Sequence, residues 1–105
     1  MNRGDVRWYK FEKPDKNRPV VILTRDAIIP YLGEVTVAPI TSTIRDIPSE
    51  VRLDREDGLP RACAINCDHL QTVDQGRIGT LITTLAPSRM REVRAAVAFA
   101  LALNE

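Results

Sequence analysis

The run Pro19-Val-Val-Ile-Leu-Thr24 constrains this chain most: it is β-branched, apolar, and closed on both sides by charged or turn-forming residues. Six residues are too few for a helix, and the stiff Val and Ile side chains favour a pleated strand, so the run predicts a buried strand. Its proline enters where no ladder donor is required. The same pattern recurs. Val6, Trp8, Tyr9 and Phe11 lie among Arg7 and Lys10 and predict a first strand, followed by a charged loop over Glu12 to Asn17 that contains Pro14. A second break covers Asp26 to Gly33. Val35 to Ile40 predicts a third strand, Val51 to Leu53 a short fourth, and Asp54 to Pro60 an acidic turn. Strands five and six are expected within Arg61 to Val73 and Arg77 to Leu85, on either side of the turn signal Asp74-Gln75-Gly76.

Five or six short strands in this span predict a small closed or half-closed barrel, because closure removes exposed edges. After Pro87, which suits a first helical turn, Met90, Val93, Val97, Ala100 and Leu101 recur at helical spacing and predict one helix of about 16 residues lying on the barrel. The fold class is mainly β with a C-terminal helix, and residues 1–105 fit one domain.

No apolar run approaches the roughly 20 residues of a membrane span, and Met-Asn-Arg-Gly-Asp is no signal sequence, so a cytoplasmic protein with no membrane association is expected. Cys63 and Cys67 are expected as free, buried thiols. With His69 they supply three candidate zinc ligands where a structural site needs four, so neither metal nor cofactor is expected. The net charge is only +1, yet seven cations among residues 1–25 (Arg3, Arg7, Lys10, Lys13, Lys16, Arg18, Arg25) face three acids, Asp5, Glu12 and Asp15. That stretch can form a phosphate-facing edge. Phosphate-loop, nucleophile-elbow and paired-histidine motifs do not occur. Polar residues at strand ends remain: Arg18, Thr41, Ser42, Thr43, Asn66, Asp68, Gln71 and Thr72.

Five segments together carry a resemblance: Arg3-Gly4-Asp5-Val6 with Trp8; Arg18-Pro19-Val20-Val21; Ala38-Pro39-Ile40-Thr41-Ser42; Cys67-Asp68-His69-Leu70-Gln71-Thr72-Val73-Asp74; and Met90 with Val93. In this order and spacing the chain resembles the MazF/PemK toxin family, over nearly its whole length. The resemblance implies an SH3-like barrel of the MazF, Kid and CcdB kind and a homodimer. It implies sequence-selective, metal-independent cleavage of single-stranded RNA, whether messenger, transfer or ribosomal. It also implies inhibition by a MazE-like antitoxin whose extended acidic tail lies across the Arg18 loop and dimer groove.

In such a reaction the neighbouring 2′-hydroxyl attacks the phosphate, so the protein must accept a proton, donate one to the departing 5′-oxygen and hold positive charge on the phosphorane. The resemblance assigns catalytic roles to Arg18, whose guanidinium forks onto phosphate oxygens, to Thr41 as a hydroxyl donor, and to Asp68 as a general base. RNA contacts are expected from Lys13, Lys16, Ser42, Asn66, His69, Gln71 and Thr72. Asn66 stands where some relatives carry a catalytic arginine, which shifts the load of charge onto Arg18. Gln71 replaces the arginine of the family's Arg-Thr step, and the first loop is short, with Lys13 and Lys16. Trp8 and Tyr9 can stack unpaired bases, but alternation puts them on opposite faces, and Trp8 is expected in the core. The rival reading is a non-catalytic RNA-binding homologue or a CcdB-like gyrase poison on the same fold; the tryptophan-free end Ala100 to Glu105 speaks against the latter.

Overall fold

The computed structural model describes residues 1–12 and 17–105; the expected RNA contacts Lys13 and Lys16 lie outside the described residues. Seven strands are present: β1 Asp5–Lys10, β2 Asn17–Ile22, β3 Glu34–Thr41, β4 Glu50–Leu53, β5 Cys63–Asn66, β6 Gln71–Asp74 and β7 Ile78–Thr84, followed by helix α1, Pro87–Ala100. One antiparallel sheet runs β4-β5-β3-β2-β1-β7, with β6 also paired to β3. β3 is its spine. On one edge Val37 to Pro39 pair with β2; on the other, Glu34 to Val37 pair with β6, and Ile40 and Thr41 pair with β5. Pro39 thus falls in the gap where β6 has ended and β5 has not begun, so its missing N–H costs no ladder bond there.

The sheet has a core on each face. Val21, Ala38, Ile40 and Ile65 pack with Val93 and Ala96 of α1, whereas Val20, Ile22, Val35, Val37 and Val73 pack around Tyr9. This is why β2 reads as an unbroken apolar run: successive side chains point into opposite cores, each burial contributing about 1.5–3 kcal/mol. The two ends of the strand path, β4 and β7, are bridged by the turn after β4. Asp54 caps that turn by accepting from the Glu56 N–H at 2.9 Å, and its own N–H donates to Asp57 Oδ2 at 3.0 Å. The turn ends at Gly58 with φ 95°, where a side chain would also run into Thr83 of β7. Arg89 then ties α1 to the turn, donating Nε to Asp57 Oδ1 at 2.9 Å and Nη2 to Oδ2 at 3.1 Å.

Three sequence expectations need correction. The segment Arg61 to Val73 holds two strands, because a 3-10 turn, Cys67–His69, interrupts it. Asn66 caps that turn through its side-chain oxygen, and Cys67 N–H donates to Ser49 O at 2.9 Å instead of continuing a ladder. The helix has 14 residues and stops at Ala100, leaving Leu101 and Leu103 exposed.

Trp8 and Tyr9 are exchanged relative to expectation: Tyr9 is buried, at 6% exposure, and Trp8 is open, at 40%. Alternation itself holds: β1 keeps an unbroken register with β2, Arg7 against Val20 and Trp8 against Pro19, so Tyr9 falls on the face of Val20 and packs into that core. The irregularity is in β7, where Arg7 pairs with Leu81 and Tyr9 with Ile78, so Trp8 faces both Gly79 and Thr80. Gly79 is required there, since a Cβ would come within 2.9 Å of the Trp8 carbonyl oxygen. Tyr9 is anchored on its face of the sheet by Phe11, edge-on with ring centroids 4.8 Å apart, and by Arg77, 5.6 Å from the ring centre. Among the described residues, no helix is long and apolar enough to cross a membrane.

Candidate functional site

The entry to β2, the end of β3 and the turn after β4 meet around a cavity of about 330 Å³. β2 brings Arg18 with Asn17, β3 brings Thr41 with Ser42, β1 brings Trp8, and the turn brings Leu59, Pro60 and Arg61. Two guanidinium side chains therefore line one cavity, and no carboxylate or imidazole does so among the described residues. Such a site selects an anion, because a forked donor matches the oxygens of a phosphate.

Thr41 is half-buried, and its Oγ1 accepts from the Thr43 N–H at 3.1 Å, fixing the chain as it leaves β3. Accepting that bond leaves the hydroxyl proton available for a ligand in the cavity. Cys63 also reaches this wall but is buried, and burial pushes its thiol above the ordinary range. Arg61 was passed over in the sequence, where it simply followed an acidic turn. The Gly58-Leu59-Pro60 step that swings the chain back towards β2 was the available signal.

The other sequence-derived candidates lie elsewhere. Asp68 accepts a 2.6 Å hydrogen bond from Ser49 Oγ, and its N–H donates to Asn66 Oδ1 at 3.0 Å. Asn66 is buried and His69 exposed at the two ends of this turn. Beneath it Cys67 is fully buried, its thiol pushed up to about 11 by desolvation and then by the charges of Asp68 and Glu50. Gln71 and Thr72 stand on β6 opposite Val37 and Thr36, and the Thr72 and Thr36 hydroxyls are 3.4 Å apart. The structure thus brings Arg18, Thr41 and Ser42 together. It does not place Asn66, Asp68, His69, Gln71 or Thr72 on the lining of their cavity. Both cysteines are free, and no cluster of three or more His, Cys, Asp or Glu suited to a metal occurs among the described residues.

Comparison with known proteins agrees over the whole fold. Endoribonuclease MazF3 of Mycobacterium tuberculosis is 46% identical over 78 residues, which cover 70% of this chain and 76% of that protein. The solved structure of the Mycobacterium tuberculosis toxin MazF-mt6 superposes with a TM-score of 0.86 at 36% identity, covering 93% of this chain and 96% of that one. A mycobacterial endoribonuclease solved in complex with its cognate antitoxin gives a TM-score of 0.87 at 25% identity over 98% of this chain and 96% of that one. The family model for PemK-like, MazF-like toxins of type II toxin-antitoxin systems matches residues 2–101. With nearly every residue inside that match, the chain belongs to the PemK/MazF toxin family.

Proposed function

We propose that this protein is the toxin of a type II toxin-antitoxin pair, a sequence-selective endoribonuclease that cuts single-stranded RNA without a metal. The observation that carries this reading is the pairing of Arg18 with the Thr41 hydroxyl in one cavity, in a family whose member at 46% identity is an endoribonuclease. Arg18, helped by Arg61, holds the scissile phosphate and stabilises the negative charge that grows as the 2′-hydroxyl attacks, a contribution of about 10² to 10³-fold for one well-placed donor. Thr41 donates its hydroxyl proton towards the departing 5′-oxygen and regains one from water, and Ser42 contacts the strand beside it. In this reading Arg18 and Arg61 carry the reaction by charge, and the 2′-hydroxyl proton leaves to water. Asp68, with His69, Gln71 and Thr72, belongs to an outer surface that touches RNA away from the bond being broken, and the buried Asn66 shapes the turn that carries it.

The protein acts in the cytoplasm as a homodimer and is silenced by a cognate MazE-like antitoxin with an extended acidic tail. The antitoxin complex of the mycobacterial relative supports this, as does the charge match between such a tail and Arg18 and Arg61. The non-catalytic and gyrase-poison readings find no support in these relatives. To test the proposal, purified protein is incubated with mixed-sequence RNA and its DNA copy in EDTA. The RNA is expected to be cut, leaving 5′-hydroxyl and 2′,3′-cyclic phosphate ends, with the DNA intact for want of a 2′-hydroxyl. Uncut RNA, or cleavage abolished by the chelator, contradicts it.

A further inference from the structure

Trp8, opposite the bulge in β7, lies on the lining of two cavities. On one side is the Arg18 and Thr41 cavity. On the other lies a second, of about 370 Å³, lined by Trp8, Lys10, Asn17, Arg77, Gly79 and Thr80. Trp8 and Asn17 are common to both, so the indole forms the ridge separating them. Cations stand on each side, Arg18 and Arg61 in the first cavity and Lys10 and Arg77 in the second. Arg77 is held in place by donating Nη2 to the Lys10 carbonyl at 3.4 Å and by its position over Tyr9. Tyr31, at 81% the more open aromatic, lines neither cavity.

A large apolar ring left 40% exposed between two cationic hollows is unfavourable for a free protein, and Gly79 lets β7 run close against the Trp8 backbone beneath it. We infer that Trp8 is the stacking platform for a nucleobase next to the scissile phosphate, and that the RNA strand crosses from the Lys10 and Arg77 cavity over Trp8 into the Arg18 cavity. The inference rests on the ribonuclease reading above and adds a strand path and a base-stacking residue to it. Stacking explains the choice of an aromatic here: each base offers a π-face, while its flanking phosphates meet the cations on either side. An alternative occupant, an acidic peptide, would satisfy the cations and leave the indole without a matching surface.

Trp8 is the sole tryptophan, so its emission reports the site directly. In the wild-type protein, a pool of short 2′-O-methylated single-stranded RNAs, which cannot be cut, is expected to quench that emission, whereas an abasic sugar-phosphate oligomer of equal charge does not. Trp8→Ala is expected to raise KM for mixed-sequence RNA by about 5- to 100-fold, mainly in KM rather than kcat, and Trp8→Phe to restore most of the loss. Equal quenching by the abasic oligomer overturns the proposal, as does quenching by polyglutamate but not by RNA. So does an unchanged KM in a folded Trp8→Ala protein whose wild type cuts RNA. Failure of the wild type to cut any RNA is a different outcome, which removes the ribonuclease reading itself.

Discussion

The cavity at the start of β2 and the turn after β5 both carry residues that the family pattern singles out, and they differ in where their polar atoms are used. In the turn, the Asp68 carboxylate is held by Ser49 at 2.6 Å and the Asn66 side-chain oxygen by the Asp68 amide at 3.0 Å, so the chemistry is consumed in ending one strand and starting the next. In the cavity, Arg18 and Arg61 line one wall, and the Thr41 hydroxyl beside them, though it accepts from the Thr43 amide, keeps a proton to give. A polar residue at a strand end serves the fold when its acceptors are taken by nearby backbone or hydroxyl donors. It serves a ligand when its donors face a cavity.

Breaking the cavity should cost activity above all. The largest effect is expected for Arg18→Ala, a fall in kcat/KM on RNA of about 10² to 10³-fold in a protein that still folds. Arg18→Lys recovers little of it, because an ammonium cannot fork onto two oxygens. Thr41→Val should follow, lowering kcat by roughly 10²-fold, the lower end of what a proton donor supplies. Breaking the turn should do the reverse. Ser49→Ala removes the hydroxyl that holds Asp68 and is expected to cost about 1–2 kcal/mol in denaturant unfolding, with cleavage rates within about threefold of wild type.

The smallest effect concerns acid. Burial alone would raise the Asp57 carboxyl, but the Arg89 hydrogen bond, the Asp54 amide and the Arg89 charge outweigh it and hold the carboxyl below its ordinary range. A carboxyl lowered in the folded state adds stability above its unfolded pKa, and that addition fades as the pH falls through the folded value. The stability gap between wild type and Asp57→Asn, measured by denaturant unfolding, is therefore expected to be full at neutral pH and to close below about pH 4.

Much of this was legible in the sequence, for physical reasons that can be named. β2 and β3 announce themselves because a strand buried on both faces has no polar residue to interrupt its run, and α1 because Pro87 and the spacing through Val93 mark it. What was not legible depends on pairing across the chain. The expectation of a core Trp8 failed because alternation separates Trp8 from Tyr9 without saying which face is covered there: both faces of β1 carry a core, and at this point it is the one closed over Tyr9 by Phe11 and Arg77. The split between β5 and β6 was missed because it is made by side-chain and amide bonds at Asn66 and Ser49 within a continuous apolar stretch. At the site, Arg18, Thr41 and Ser42 were named by resemblance and meet in space. Arg61 was missed, since only the left-handed turn at Gly58 and the Arg89 clamp on Asp57 bring it to that wall.

Initial rates of cleavage of one mixed-sequence RNA by Arg18→Ala and by Asp68→Asn, measured side by side in EDTA against wild type, test the central claim most directly. Arg18→Ala is expected to lose at least about 10²-fold and Asp68→Asn less than about tenfold. The opposite order, with Asp68→Asn the dead enzyme and Arg18→Ala still cutting, would contradict the assignment of the chemistry to the Arg18 cavity.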